Sequence, residues 1–200
     1  MSSSPFRQPP TRRLRIFLSY AREDQVAVQS VQAGLDALHH ETWIDRKLDG
    51  GQAWWDEICK QICSCDAMLV AVSPALLESD AAVRERAYAR RLGKPLLPVL
   101  VAPVLTDLLP PDLAPLQLVD YTNVGPMTGF QLAGALAALP PAPPLPDRLP
   151  DPPPVPTSYL VAGRPGPQAV AVAGGALGAG GDAEPQTTSI SRHVIAYNLE

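Results

Sequence analysis

The chain has 200 residues, 46% of them hydrophobic and 18% charged, with a net charge of −4 at pH 7. That length suits one domain with tails, and an acidic balance without a basic stripe excludes nucleic acid as an obligate partner. No apolar run approaches the ~18 residues of a membrane span, and the Ser/Pro/Arg-rich start lacks the apolar core of a secretory signal, so no membrane partner and a cytoplasmic location are expected.

In chain order, Arg15-Ile16-Phe17-Leu18-Ser19-Tyr20 is a short apolar run that stops on polar residues and turns into Arg22-Glu23-Asp24. This pattern predicts a buried parallel strand that delivers polar side chains to the carboxyl edge of a sheet. Asp24 is placed to cap a helix whose apolar residues Val28, Val31, Leu35 and Leu38 recur at steps of three and four. Thr42-Trp43-Ile44-Asp45 reads as a second strand ending on a polar residue, followed by a turn-rich loop containing Asp49-Gly50-Gly51. A helix with Trp55, Ile58 and Ile62 on one face comes next. Ala67–Val72 is apolar throughout and predicts a strand buried on both sides, stopped by Ser73-Pro74.

Ser79 or Asp80 can cap the next helix, which runs to about Leu92 before Gly93. Leu96–Val101 is a fourth apolar strand, in which Pro98 removes a ladder donor and argues for a place near the edge. Leu116–Tyr121 reads as a fifth strand and Phe130–Leu139 as a closing helix. Strands alternating with helices specify a three-layer α/β domain with a five-stranded parallel sheet, of the flavodoxin-like kind.

Ten of the 24 prolines lie between Pro140 and Pro156. The organisation expected is therefore a flexible segment 1–12, a domain 13–139, an extended proline-rich linker 140–156, and a low-complexity, disordered tail 157–200. Cys59, Cys63 and Cys65 have neither zinc spacing nor the even count of a disulfide framework, and read as reduced thiols on a half-buried helix. Arg84, Arg86, Arg90 and Arg91 read as a solvated basic face.

The loops at the carboxyl edge supply Ser19, Tyr20, Arg22, the stretch from Asp45 to Trp54, and the helix carrying Glu85. They offer an aromatic that can stack on a base, a guanidinium suited to phosphate, and carboxylates. No glycine-rich phosphate loop follows the first strand, the third strand does not end on a phospho-accepting aspartate, and no nucleophile elbow is present.

On these residues the chain resembles a bacterial TIR (Toll/interleukin-1 receptor) domain. Arg15–Asp24 is similar to the family's first box. Trp43-Ile44-Asp45 with Leu48-Asp49-Gly50-Gly51-Gln52-Ala53-Trp54 is similar to its second strand and BB loop. Asp66 to Pro74 resembles the third strand with its Ser-Pro ending, and Gly93-Lys94-Pro95 with Leu96–Val101 the fourth. The resemblance implies the TIR fold, self-association with other TIR domains, and cleavage of the nicotinamide–ribose bond of NAD, which is a substrate, so no cofactor is expected.

The resemblance places the catalytic glutamate of a W-x-x-x-E segment at Glu85, with Ala81 at the tryptophan position. A carboxylate there can stabilise an oxocarbenium-like ribose, although a glutamate early in a helix also satisfies the macrodipole alone. Tyr20 and Arg22 are implied at the adenine and phosphate end, or form a polar strand end. Asp45 orders the loop, faces the ribose or forms a turn. Trp54 stacks on a base or packs on the core. A non-catalytic TIR adaptor is the alternative function.

Overall fold

The structure, a computed structural model, describes residues 12–44 and 51–157. Its centre is a parallel sheet of β1 (Arg15–Ser19), β2 (Glu41–Ile44), β3 (Ala67–Val72), β4 (Leu96–Leu100) and β5 (Val119–Asp120), in the order β2-β1-β3-β4-β5. The register pairs Phe17 with Trp43 and Met68, and Val70 with Pro98. Helices α1 (Gln25–Ala37), α2 (Gln52–Ser64), α3 (Pro74–Glu78), α4 (Asp80–Arg91) and α5 (Pro126–Ala138) follow the strands, α3 and α4 both lying between β3 and β4. The flavodoxin-like parallel architecture expected from the sequence is the one observed.

Alternate side chains of the strands enter two cores, one on each face of the sheet, as the two-residue strand period requires. Phe17, Met68, Val70 and Val72 pack with Trp55, Ile58, Ile62 and Tyr88 of α2 and α4. Ile16, Leu18, Leu69, Ala71, Leu97 and Val99 pack with Val28, Val31 and Leu35 of α1 and Leu132 and Leu136 of α5. The central strand β3 is buried at every residue, as its unbroken apolar sequence demands. Gly34 lets α1 approach the sheet closely, because a Cβ there would meet the Tyr121 hydroxyl at 2.5 Å. Gly93, at φ +68°, supplies the left-handed residue that ends α4.

Some local features differ from the sequence-based expectation. Strand β4 is flanked on both sides, yet its pairing with β5 begins only at Val99, so Pro98 removes a donor where no neighbour on that side needs one. Strand β5 has two residues, and α5 starts at Pro126, which occupies the first helical turn where a missing N–H costs nothing. Ser73-Pro74 does more than stop β3: Ser73 caps the extra helix α3. Residues 140–156 carry neither helix nor strand and lie against the domain. There Pro153 O accepts from the Trp55 indole at 2.7 Å, and Val155 packs on the core. Among the described residues no helix is long and apolar enough to cross a membrane.

Candidate functional site

The sheet order reverses between β1 and β3, and open α/β folds form their ligand crevice at the carboxyl ends of the strands beside such a point. β1 ends at Ser19, and the chain then passes through Tyr20 and Ala21 into a 3₁₀ turn, Arg22–Asp24. Asp24 stands at the helix N-cap but makes no side-chain cap bond there. Its carboxylate instead accepts a hydrogen bond from the Ser73 hydroxyl. The same Ser73 oxygen accepts from Leu76 N at 3.0 Å. One buried serine thus ties the loop after β1 to the corner between β3 and α3.

The next corner delivers the carboxylate. Ser79 ends α3 and caps α4, accepting from Ala82 N at 3.2 Å. One turn further on, Glu85 points back over the sheet and is only 6% exposed. The Ser19 hydroxyl donates to Glu85 Oε2 at 2.6 Å. Ser19 is itself buried. A cleft of about 500 Å³ opens in front of this pair, lined by Tyr20, Arg22, Glu23, Glu78, Asp80 and Glu85 together with Ala81 and neighbouring small residues. Arg22 is the basic side chain of that lining, against four carboxylates. Such a wall favours positive charge over most of its extent, and it offers one guanidinium for an anionic group.

Tyr20, Arg22 and Glu85 therefore come together from segments more than sixty residues apart. Trp54 does not line this cleft: it stacks on Trp43 with ring centroids 5.9 Å apart, and Trp43 stacks in turn on Phe17 at 5.0 Å. Asp45 lies outside the described residues. The sequence places Ser19 and Ser73 at the carboxyl edge of the sheet but gives neither a role in the site. A hydroxyl closing an apolar strand was the available signal for each, but their partners are distant in the chain.

Cys59 and Cys65 are buried in the core beneath α2 and α4, and Cys63 packs against it. Burial pushes Cys59 up to about 12, with the charges of Cys63, Asp56 and Glu85 acting in the same direction. Burial likewise raises Cys65 to about 11, partly offset by the Lys94 ammonium, whose Nζ donates to the carbonyls of Cys63 and Cys65 at 2.7 Å each. These two are protonated thiols at neutral pH and poor nucleophiles. Among the described residues no group of His, Cys, Asp and Glu could hold a metal ion. The basic face read from sequence is corrected at Arg86, which is 4% exposed and paired with Asp112 at 3.3 Å. It is also corrected at Arg84 and Arg91, which bind main-chain carbonyls of the proline-rich segment.

The family model described as TIR domain matches residues 16–133. Among solved structures, the TIR domain of the Toll-related receptor TRR-2 from Hydra magnipapillata is 18% identical with a TM-score of 0.51, over 61% of this chain and 97% of that one. A metazoan TIR-STING receptor from C. gigas is 22% identical with a TM-score of 0.49, over 70% of this chain and 45% of that one. The CMP N-glycosidase BcmB of Clostridium botulinum is 16% identical with a TM-score of 0.40, over 62% and 98%. No curated protein matches the chain.

Proposed function

The chain belongs to the TIR-domain family, and from that premise we propose that it is an NAD glycohydrolase, acting in signalling or defence when self-assembled with other TIR domains. The observation that carries this reading is the buried Ser19–Glu85 pair at the floor of the cleft. A carboxylate so placed is retained for chemistry rather than for stability, since taking its charge from water is costly. The cleft volume of about 500 Å³ falls within the roughly 300–1,000 Å³ of small-molecule sites.

In the proposed reaction the bond between nicotinamide N1 and ribose C1′ breaks, and its electron pair leaves on neutral nicotinamide. The ribose becomes oxocarbenium-like. Glu85, fixed by Ser19, stabilises that cation more than it stabilises the ground state, and it can hold the ribose hydroxyls as well. Water adds at C1′ and its proton passes to solvent, giving ADP-ribose. Arg22 suits the pyrophosphate, and Tyr20 offers a face for the adenine. Asp45 would contribute ribose contacts, whereas base stacking by Trp54 would require it to leave its stack on Trp43.

Ala81 favours a second reading. Its methyl group gives the cleft wall no aromatic surface, and a TIR domain without turnover would act by TIR–TIR interaction as an adaptor. Incubation of concentrated protein with NAD beside a Glu85→Gln variant separates the two. Nicotinamide release by the parent alone is expected. Release from neither protein, with no NAD binding, would leave the adaptor. Ala81→Trp should raise turnover by restoring an aromatic wall, and an unchanged or lower rate would remove that argument.

A further inference from the structure

The α2–α4 face carries hydrogen-bond donors aimed outward at carbonyl oxygens, and the chain's own proline-rich segment lies on them. Four successive contacts define the arrangement. Tyr88 Oη reaches Pro150 O at 3.5 Å, and Arg91 Nη1 donates to Asp151 O at 3.1 Å. Trp55 Nε1 donates to Pro153 O at 2.7 Å, and Arg84 Nη1 to Pro154 O at 3.1 Å. Thr157 N donates to Asp80 Oδ2 at 2.9 Å. The segment runs antiparallel to α4, from the last turn of the helix to its first.

The spacing is that of a polyproline-II helix, which repeats every three residues. Carbonyls 150 and 153 share one edge and meet the aromatic donors Tyr88 and Trp55. Carbonyls 151 and 154 share the next edge and meet the two guanidiniums. Arg84 and Arg91 are seven residues apart, ~10.5 Å along an α-helix at 1.5 Å per residue. Three residues of polyproline-II span ~9.3 Å at 3.1 Å per residue, so the two ladders nearly coincide.

Proline lacks an N–H, so a proline-rich chain presents acceptors and few donors. A face that supplies four donors matches that chemistry, and a preformed polyproline-II helix is bound with little ordering cost, in the manner of aromatic-lined proline-recognition grooves. Val155 and the buried Pro156 add apolar contact between the last two polar anchors.

We propose that the α2–α4 face is a binding site for a proline-rich polyproline-II main chain, and that Pro150–Thr157 is its intramolecular ligand. The site reads carbonyl spacing rather than side chains, so it accepts another proline-rich peptide once its own segment is displaced. The inference is independent of the cleft's chemistry, because its readouts are binding and exchange.

The test uses the full chain and a fluorescently labelled peptide of residues 148–157. Pro152→Gly/Pro154→Gly keeps every carbonyl but removes the stiffness of the tethered segment. The peptide should bind this variant about tenfold more tightly than it binds the parent, whose own segment competes at high effective concentration. Adding Arg84→Ala and Arg91→Ala to the loosened chain should weaken the peptide about tenfold again. In the parent, the Thr157 amide should exchange with solvent more slowly than the same amide in the free peptide. Equal peptide binding by parent and loosened variant, binding indifferent to the two arginines, no binding to the loosened variant, or a Thr157 amide exchanging at the free-peptide rate would each overturn the proposal.

Discussion

Helix α4 presents two surfaces built on opposite terms. Toward the cleft it offers one buried carboxylate, Glu85, which accepts from a serine at a strand end 66 residues away. Toward the proline-rich segment it offers Arg84, Tyr88 and Arg91, all hydrogen-bonding to main-chain carbonyls. The first surface buries charge, which costs stability. The second satisfies carbonyls that proline-rich backbone would otherwise leave to water, and it ties residues 150–157 to the domain. A residue on the first surface should therefore matter to turnover and little to stability, and a residue on the second should behave the other way.

The largest effect expected is on the cleft side. Glu85→Gln should lower nicotinamide release by about 10²–10³-fold, the size of loss seen when one preorganised charge-stabilising group is removed, while the urea midpoint holds or rises because a buried charge is gone. A comparable drop in stability would erase the contrast between the two surfaces.

Trp55→Phe probes the other surface. It keeps an aromatic ring in the core but removes the indole donor to Pro153 O. Urea unfolding should show a loss of about 1–2 kcal/mol, the cost of one buried hydrogen bond and an unpaired acceptor, with kcat unaltered.

Ser19→Ala is expected to act more mildly than Glu85→Gln and on the same quantity. Removing the hydroxyl at 2.6 Å leaves the carboxylate in place but less firmly oriented. A fall of about tenfold in kcat, equivalent to 1.4 kcal/mol, with little change in KM, is expected; a change confined to KM would give Ser19 a binding role.

The smallest effect is a pH dependence remote from both surfaces. Burial, reinforced by the neighbouring His39 charge, lowers the His40 pKa below 6.5, and its Nδ1 accepts from Leu14 N at 3.2 Å. Below pH 6.5 the unfolded chain takes up this proton before the folded one does. The His40 contribution is thus present above pH 6.5 and lost as pH falls through the lowered folded value. Stability of the parent should decline from pH 7 to pH 5, and His40→Gln should flatten that decline.

Most of the sheet could be read directly from the sequence, because Ala67–Val72 is apolar at every position and short apolar runs bounded by turns have few alternatives. The edges were less legible: β5 pairs through only two residues, and the helical start at Pro126 was obscured by an apolar pattern that begins at Phe130. Asp24 shows why local chemistry misleads. Its position suits a helix cap, but its carboxylate accepts instead from Ser73, 49 residues away. Glu85, Tyr20 and Arg22 were readable as candidates from their places at strand and helix ends, whereas the Ser19 bond to Glu85 depends on how β1 and α4 pack. The proline-rich segment was legible as extended chain. Its attachment was not, since the donors that hold it lie 60 to 98 residues earlier.

The most direct test of the central claim is a crystal structure of the Glu85→Gln variant with NAD. The account predicts the ribose C1′ against the side chain of residue 85, the pyrophosphate near Arg22 and the adenine end by Tyr20. NAD bound outside the Ser19–Glu85 cleft, in a variant that still releases nicotinamide at the parental rate, would contradict it.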